Sequence, residues 1–194
     1  MDFSKNSKDP LNKSAEFILQ GGVIIFPTDT VYGFLADASN KKAVEKIYKI
    51  KKRPKQKPLA VFVKDFKIAK ELAEINKEQE KILKKKWPGK YTFVLRRKFT
   101  EVRPPRKLYG VDKKTIALRI PKYKLLNDLL KKINKPLVQT SVNISGSHML
   151  KRINDITEQF SKYNVLVISN GNLRDNKPSK IIDLTQKNIK IVRK

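Results

Sequence analysis

The apolar run Gly22-Val23-Ile24-Ile25-Phe26 stops at Pro27, and this stop constrains the chain more than any other local feature. The run is long enough for one buried strand. Proline has no N–H to give to a sheet ladder, so the strand must end there and pass into a polar loop. The residues that follow, Thr28, Asp29, Thr30 and Tyr32, carry four oxygen-bearing side chains before Gly33. A capped connection between a strand and a helix needs only one such group and a glycine. The segment is therefore either an ordinary capped loop or a binding loop carried on a rigid strand.

A second segment repeats this design. The strand expected at 137–139 runs into Thr140-Ser141-Val142-Asn143-Ile144-Ser145-Gly146, where small polar residues let backbone N–H groups approach a phosphate. Neither a Walker loop nor a dinucleotide-binding Gly-x-Gly-x-x-Gly is present. Between the two, residues 49–57 hold six cations, closed by Pro54 and Pro58, and lead into the apolar run 59–63. If the strands at 23–26 and 59–63 are neighbours, polar donors and positive charge share one rim of a sheet, where open α/β sheets bind ligands.

The three segments together resemble the YrdC/TsaC family of threonylcarbamoyl-AMP synthases. Its hallmarks are matched by Pro27 to Gly33, by Lys51 to Leu59 (Lys-x-Arg-Pro-x-x-x-Pro-Leu), and by Thr140 to Gly146. The likeness extends from about Ala15 to Arg193. It implies an α+β fold of the three-layer α/β type: a twisted mixed sheet flanked by helices, with an electropositive concave pocket.

Length and apolar content (194 residues, 39% apolar) fit one domain over 1–194, with residues 1–11 a loose lead-in and no further C-terminal domain expected. The absence of cysteine excludes disulfides and Cys-ligated metal. No apolar stretch approaches the ~20 residues of a membrane helix, so a cytoplasmic protein is expected. The net charge of +27 favours polyanionic partners, nucleotides or RNA. Only nine of the 45 basic residues are arginine. Most lysines read as a solvated face, and the arginines, with their planar forks, are the more informative cations.

Periodicity predicts helices at about 13–20, 41–50, 68–75, 78–86, 125–133 and 153–160, and strands at 91–97, 115–120, 165–169 and 189–192. Residues 103–106, Arg-Pro-Pro-Arg, read as a polar loop. Trp87 reads as a core anchor. In 115–120, Thr115, Ala117 and Arg119 share one face, opposite Ile116, Leu118 and Ile120. An arginine there requires an anionic partner, either an acidic side chain or a substrate anion.

His148, the sole histidine, lies in a surface-like segment, and neither a catalytic triad nor a metal cage is evident. Hydroxyls, amides and cations suit a reaction in which anions are held and aligned. The resemblance implies such a reaction. L-Threonine and bicarbonate give a carbamate that attacks the α-phosphorus of ATP. Pyrophosphate leaves, and the threonylcarbamoyl group goes on to a tRNA adenosine through downstream transfer proteins.

Residue by residue, the resemblance places Lys51, Arg53 and Arg119 at the chemistry. Lys51, Arg53, Lys57, Thr115, Ser141, Asn143 and Arg193 would face ATP; Thr30, Tyr32, Arg119 and Ser179 would face threonine. Magnesium is expected only with ATP, with no protein-ligated metal. Lys180 stands where the family has Thr, and Phe62 where some members have a threonine-contacting His. Two rivals follow: a non-catalytic RNA-binding module, and a YrdC-like nucleotide-binding protein with another acceptor.

Overall fold

The computed structural model describes residues 9–98, 107–173, 177–186 and 188–193. The loop expected at 103–106 lies outside them, as does most of the lead-in. Six helices are described: α1 (Pro10–Leu19), α2 (Lys41–Lys51), α3 (Phe66–Leu72), α4 (Lys77–Lys86), α5 (Lys124–Ile133) and α6 (Ile153–Phe160). The strands are β1 (Val23–Phe26), β2 (Gly33–Asp37), β3 (Ala60–Phe62), β4 (Tyr91–Arg96), β5 (Thr115–Arg119), β6 (Leu137–Ser141), β7 (Val165–Val167), β8 (Lys180–Asp183) and β9 (Lys190–Arg193). They form one mixed sheet in the order β7-β1-β2-β6-β3-β5-β4-β8-β9.

The loop after β1 leads into a strand that periodicity does not mark: β1 and β2 pair antiparallel, with Phe26 opposite Gly33. All five residues of β2 are buried, so its sequence lacks the alternation that marks a half-exposed strand. Nor are β1 and β3 neighbours, since β2 and β6 lie between them. Helix α1 also starts earlier than predicted. Asp9 caps it by accepting from the N–H groups of Leu11 and Asn12, and Pro10 opens its first turn, so residues 10 and 11 are helical rather than loose.

The sheet is covered unequally. One face packs along its length against α2, α3, α4 and α6 through residues such as Val44, Ile47, Leu72, Leu83 and Phe160. The other carries a smaller apolar cluster in which Ile18 of α1 and Leu126, Leu129 and Leu130 of α5 cover Ile24, Phe26, Leu35, Phe62 and Leu137. That cluster reaches only β1, β2, β3, β6 and β7. Across β5, β4 and β8 the same face presents Ala117, Arg119, Thr92 and Ile181 to a cavity instead of a helix. The faces predicted for β5 hold: Ile116, Leu118 and Ile120 belong to the larger core. Among the described residues no helix is long and apolar enough to cross a membrane.

Since Leu129 is fully buried under the seal that α5 makes, Leu129→Ala is expected to lower unfolding free energy by about 2–5 kcal/mol in urea denaturation. An unchanged midpoint would mean that α5 does not close that face.

Candidate active site

The motif loop is built by proton counting before any ligand is considered. Thr28 Oγ1 accepts from the N–H groups of Thr30 (3.0 Å) and Val31 (3.2 Å) and donates to the carbonyl of Val31 (2.7 Å). Its single proton and both acceptor sites are thus used, and the Thr30 hydroxyl lies 3.0 Å away. Thr30 Oγ1 keeps an acceptor site, which the Arg119 guanidinium fills through Nη1 at 3.2 Å.

Arg119 is the hub, only 1% exposed at the end of β5. Its Nε donates to the Gly89 carbonyl at 3.0 Å and its Nη2 to Asp29 Oδ1 at 2.6 Å, while its Cζ lies 5.5 Å from the centre of the Phe62 ring. The other Asp29 oxygen accepts from the Lys122 N–H at 3.1 Å. Burial pulls the Arg119 guanidinium down from its ordinary range, and Asp29 opposes that pull. Gly89 can serve because it lacks a side chain: a Cβ there would sit 2.5 Å from the Lys86 carbonyl. Of the two anionic partners open for Arg119, the protein itself supplies the carboxylate. Three of its five N–H groups are engaged.

On the bare half of the sheet lies a cavity of about 350 Å³. It gathers Thr30 from the first motif, Arg53 and Pro58 from the second, Ser141 from the third, Arg119 from β5, and Ser179 and Arg193 from the last two strands. Gln139, Thr92, Ala60, Ala117 and Val94 lie along it from the sheet. Its described lining holds three guanidinium groups and no carboxylate. Arg53 is steadied by donating from Nε to the Lys57 carbonyl and from Nη2 to that of Pro58, each at 2.9 Å. Arg193 grips Ser179, whose hydroxyl meets Thr92 Oγ1 at 2.9 Å. Burial, and then the charge of Arg119, holds the Arg193 guanidinium below its usual range. Other hollows exist, including one of about 460 Å³ beside Glu74 and Gln79, but none joins all three motifs.

Five expected contacts lie elsewhere. Lys51 is 2% exposed and stands behind the wall, donating from Nζ to the carbonyls of Ser141 (2.6 Å) and Asn143 (2.8 Å) and to Asn143 Oδ1 (2.8 Å). Asn143 accepts from Ser141 Oγ and donates to the Ser147 carbonyl, so both residues brace the third motif rather than line the cavity. The Tyr32 hydroxyl is committed to Gly171 and Asn170. Thr115 donates to Asp112 and lines a separate hollow with Arg96, Arg97 and Lys114. Lys57 is exposed and contributes its carbonyl. Sequence reasoning had not weighed Asp29 as the partner of Arg119, nor Gln139 and Thr92 as lining. Asp29 was visible in the motif as a residue type, but pairing it with Arg119, like placing the other two on the lining, needed the strand order.

The surroundings resemble known proteins over most of the chain. A family model, Sua5_yciO_yrdC, described as telomere recombination, matches residues 16–194. A threonylcarbamoyl-AMP synthase of Pyrococcus abyssi is 35% identical over 174 residues, 89% of this chain and 50% of that protein. This chain thus spans about half of that relative. A putative threonylcarbamoyl-AMP synthase of Methanocaldococcus jannaschii is 36% identical over 91% of this chain and 81% of its own length. Uncharacterized YciO of Escherichia coli K12 is 30% identical over 94% and 87%. Among solved structures, P. abyssi Sua5 complexed with L-threonine superposes with a TM-score of 0.82 at 34% identity, over 94% of this chain and 53% of that one. E. coli YciO gives 0.83 at 29% identity, over 95% and 88%.

Burial, and then the charge of Arg53, pulls the Lys51 ammonium down to about 7. A lysine with a folded-state value below its unfolded one binds fewer protons when folded, so stability rises with pH above about 7, by at most about 1.4 kcal/mol per unit. Urea titrations between pH 7 and 9 are expected to show this rise in the wild type and a flatter profile in Lys51→Met. Parallel profiles would mean that Lys51 stays charged throughout.

Proposed function

The chain belongs to the Sua5/YciO/YrdC family, and on that premise we propose that it makes threonylcarbamoyl-AMP from L-threonine, bicarbonate and ATP with release of pyrophosphate. The observation that carries this reading is the convergence of Thr30, Arg53, Arg119, Ser141, Ser179 and Arg193 on one cavity. Its size, about 350 Å³, falls within the range of small-molecule sites. The relatives named for this activity and the threonine complex of Sua5 support the choice of substrates.

Binding in this cavity divides by chemistry. Arg53 and Arg193 suit the phosphates, where guanidinium forks can stabilise charge that shifts to the leaving pyrophosphate. Thr30, Ser179 and the remaining N–H groups of Arg119 suit an amino acid carboxylate and hydroxyl. Lys51 holds the Ser141–Asn143 backbone in place, so that Ser141 meets the nucleotide without rearranging. With the carbamate oxygen and the α-phosphorus held in line, the phosphorus–oxygen bond to pyrophosphate breaks as the new one forms, and alignment supplies much of the rate.

Magnesium, expected with ATP, would find few protein ligands here. Both oxygens of Asp29 are committed, and no group of three His, Cys, Asp or Glu gathers among the described residues. No step is assigned to it. The product would pass to downstream transfer proteins acting on tRNA in the cytoplasm.

A second reading, a related nucleotide-binding protein with another acceptor, is favoured by Phe62 stacked beneath Arg119, by Lys180, and by the match to uncharacterized YciO over 94% of this chain and 87% of that protein. Purified protein with ATP, threonine and labelled bicarbonate separates the two. Threonine-dependent pyrophosphate release with a labelled adenylate is expected, and release indifferent to threonine would overturn the first reading in favour of the second. In the same assay Arg53→Ala, a surface-side change, is expected to lower kcat/KM at least tenfold, about 1.4 kcal/mol in the transition state. Wild-type kinetics would remove Arg53 from the site.

A further inference from the structure

Behind the Arg119–Asp29 pair lies a second hollow of about 550 Å³, which shares only Pro178 with the cavity just described. Asp29 stands between them, with one oxygen on Arg119 and the other on the Lys122 N–H. The floor is Pro88, Gly89, Tyr91 and Pro178, and the rim is six lysines: Lys85, Lys86, Lys90, Lys122, Lys177 and Lys180. They arrive from four places in the chain: the end of α4, the turn before β4, the segment after β5, and the residues flanking the start of β8.

Elsewhere the protein pairs its lysines where a carboxylate is near. Lys70 and Lys84 share Glu80, Lys124 meets Asp128, and Lys135 meets the buried Asp37. Lysines without a carboxylate also lie singly on exposed faces, Lys41 and Lys42 among them, but around this hollow six of them converge on one concavity. Among the described residues, the ammonium groups of Lys85, Lys90, Lys122, Lys177 and Lys180 have no hydrogen-bond or ion-pair partner. Lys86 lies only over the Tyr91 ring, 4.9 Å from its centre. The one carboxylate on the lining, Asp29, is already committed.

Like charges gathered around a concave surface raise the potential inside it. Their repulsion acts within the ~8 Å screening length of physiological salt. A ligand that relieves it must bring several negative charges at close spacing. Lysines are point charges on flexible stems, unlike the planar arginine forks in the neighbouring cavity. They suit a run of phosphates held by charge rather than by shape. Lys180, where the family resemblance implies threonine, adds one of these charges.

We propose that this hollow is a binding site for linked phosphates, either a nucleic-acid backbone or a free oligophosphate. It is separate from the cavity of the proposed reaction and does not rest on that reading.

The test uses the full chain with a labelled short oligouridylate, followed by fluorescence anisotropy over a salt series, and with tripolyphosphate as a competitor. Lys85→Gln/Lys90→Gln/Lys122→Gln is compared with Lys41→Gln/Lys42→Gln/Lys131→Gln, a control that removes the same charge from exposed helix positions. The first variant is expected to bind at least about tenfold more weakly. Its slope of log K against log salt should flatten by about 2, roughly 0.7 for each of three phosphate contacts. The control should change less than about twofold on the same grounds. Strong competition by tripolyphosphate, lost in the same variant, identifies a free oligophosphate as the occupant; weak competition identifies the backbone. Equal weakening in both variants, no binding of either probe, or equally tight binding of an oligoglutamate peptide overturns the proposal. Pyrophosphate release, measured alongside, is expected to be unchanged in the first variant, so failure here is distinguishable from failure of the proposed reaction.

Discussion

A guanidinium buried at the end of a central strand would be among the least tolerable groups in this protein if it were left alone. Arg119 is accommodated because Asp29, Thr30, Gly89 and the face of Phe62 surround it, and removing one partner of such a pair costs far more than the pair contributes. The consequence is architectural. The loop closing β1 to β2, the turn before β4 and the end of β5 must come together for the charge to be satisfied. The polar loop is thereby fixed as a rigid feature before any substrate arrives. In the proposed reaction, an amino acid carboxylate would share Arg119 with Asp29 rather than neutralise it, so the arginine would orient the ligand as much as attract it.

The cavity exists because helices cover only part of one sheet face. Under α1 and α5 the strands carry Ile24, Phe26, Leu35, Phe62 and Leu137. Beyond them the same face narrows to Ala60, Ala117 and Thr92. Small side chains there leave a concave floor, and segments from both ends of the chain supply its polar walls. The buried lysine behind one wall extends this economy of parts: Lys51 binds three oxygens of the third motif and keeps its backbone from collapsing inward.

Much of this was legible in the sequence, and the failures have physical causes. The amphipathic helices carry a 3.6-residue period, and α6 runs over the predicted residues. The two faces of β5 followed from alternation alone. β2 escaped because both its sides are buried, which erases the period that would have marked it. Residues of all three motifs line one cavity, while Lys51, Asn143 and Tyr32 brace the segments around it. A motif records which residues matter to a site without recording whether they face the ligand or hold what does. Asp29 shows the reverse: its residue type was visible, but its partner lies 90 positions away and only the strand order brings them together.

One outer strand, β9, carries Ile191 and Val192 at 55% and 56% exposure, and among the described residues its outer edge pairs with no other strand. A bare ladder with apolar side chains is a template on which other chains can add strands. Here Lys190 stands beside the pair, and its charge discourages an incoming copy from docking edge to edge, whereas Arg193 is turned inward to Ser179. Basicity that looks like mere surplus therefore has a colloidal role at this border. Stripping lysines from the surface to make the protein less adhesive would risk trading weak stickiness for fibrous self-association.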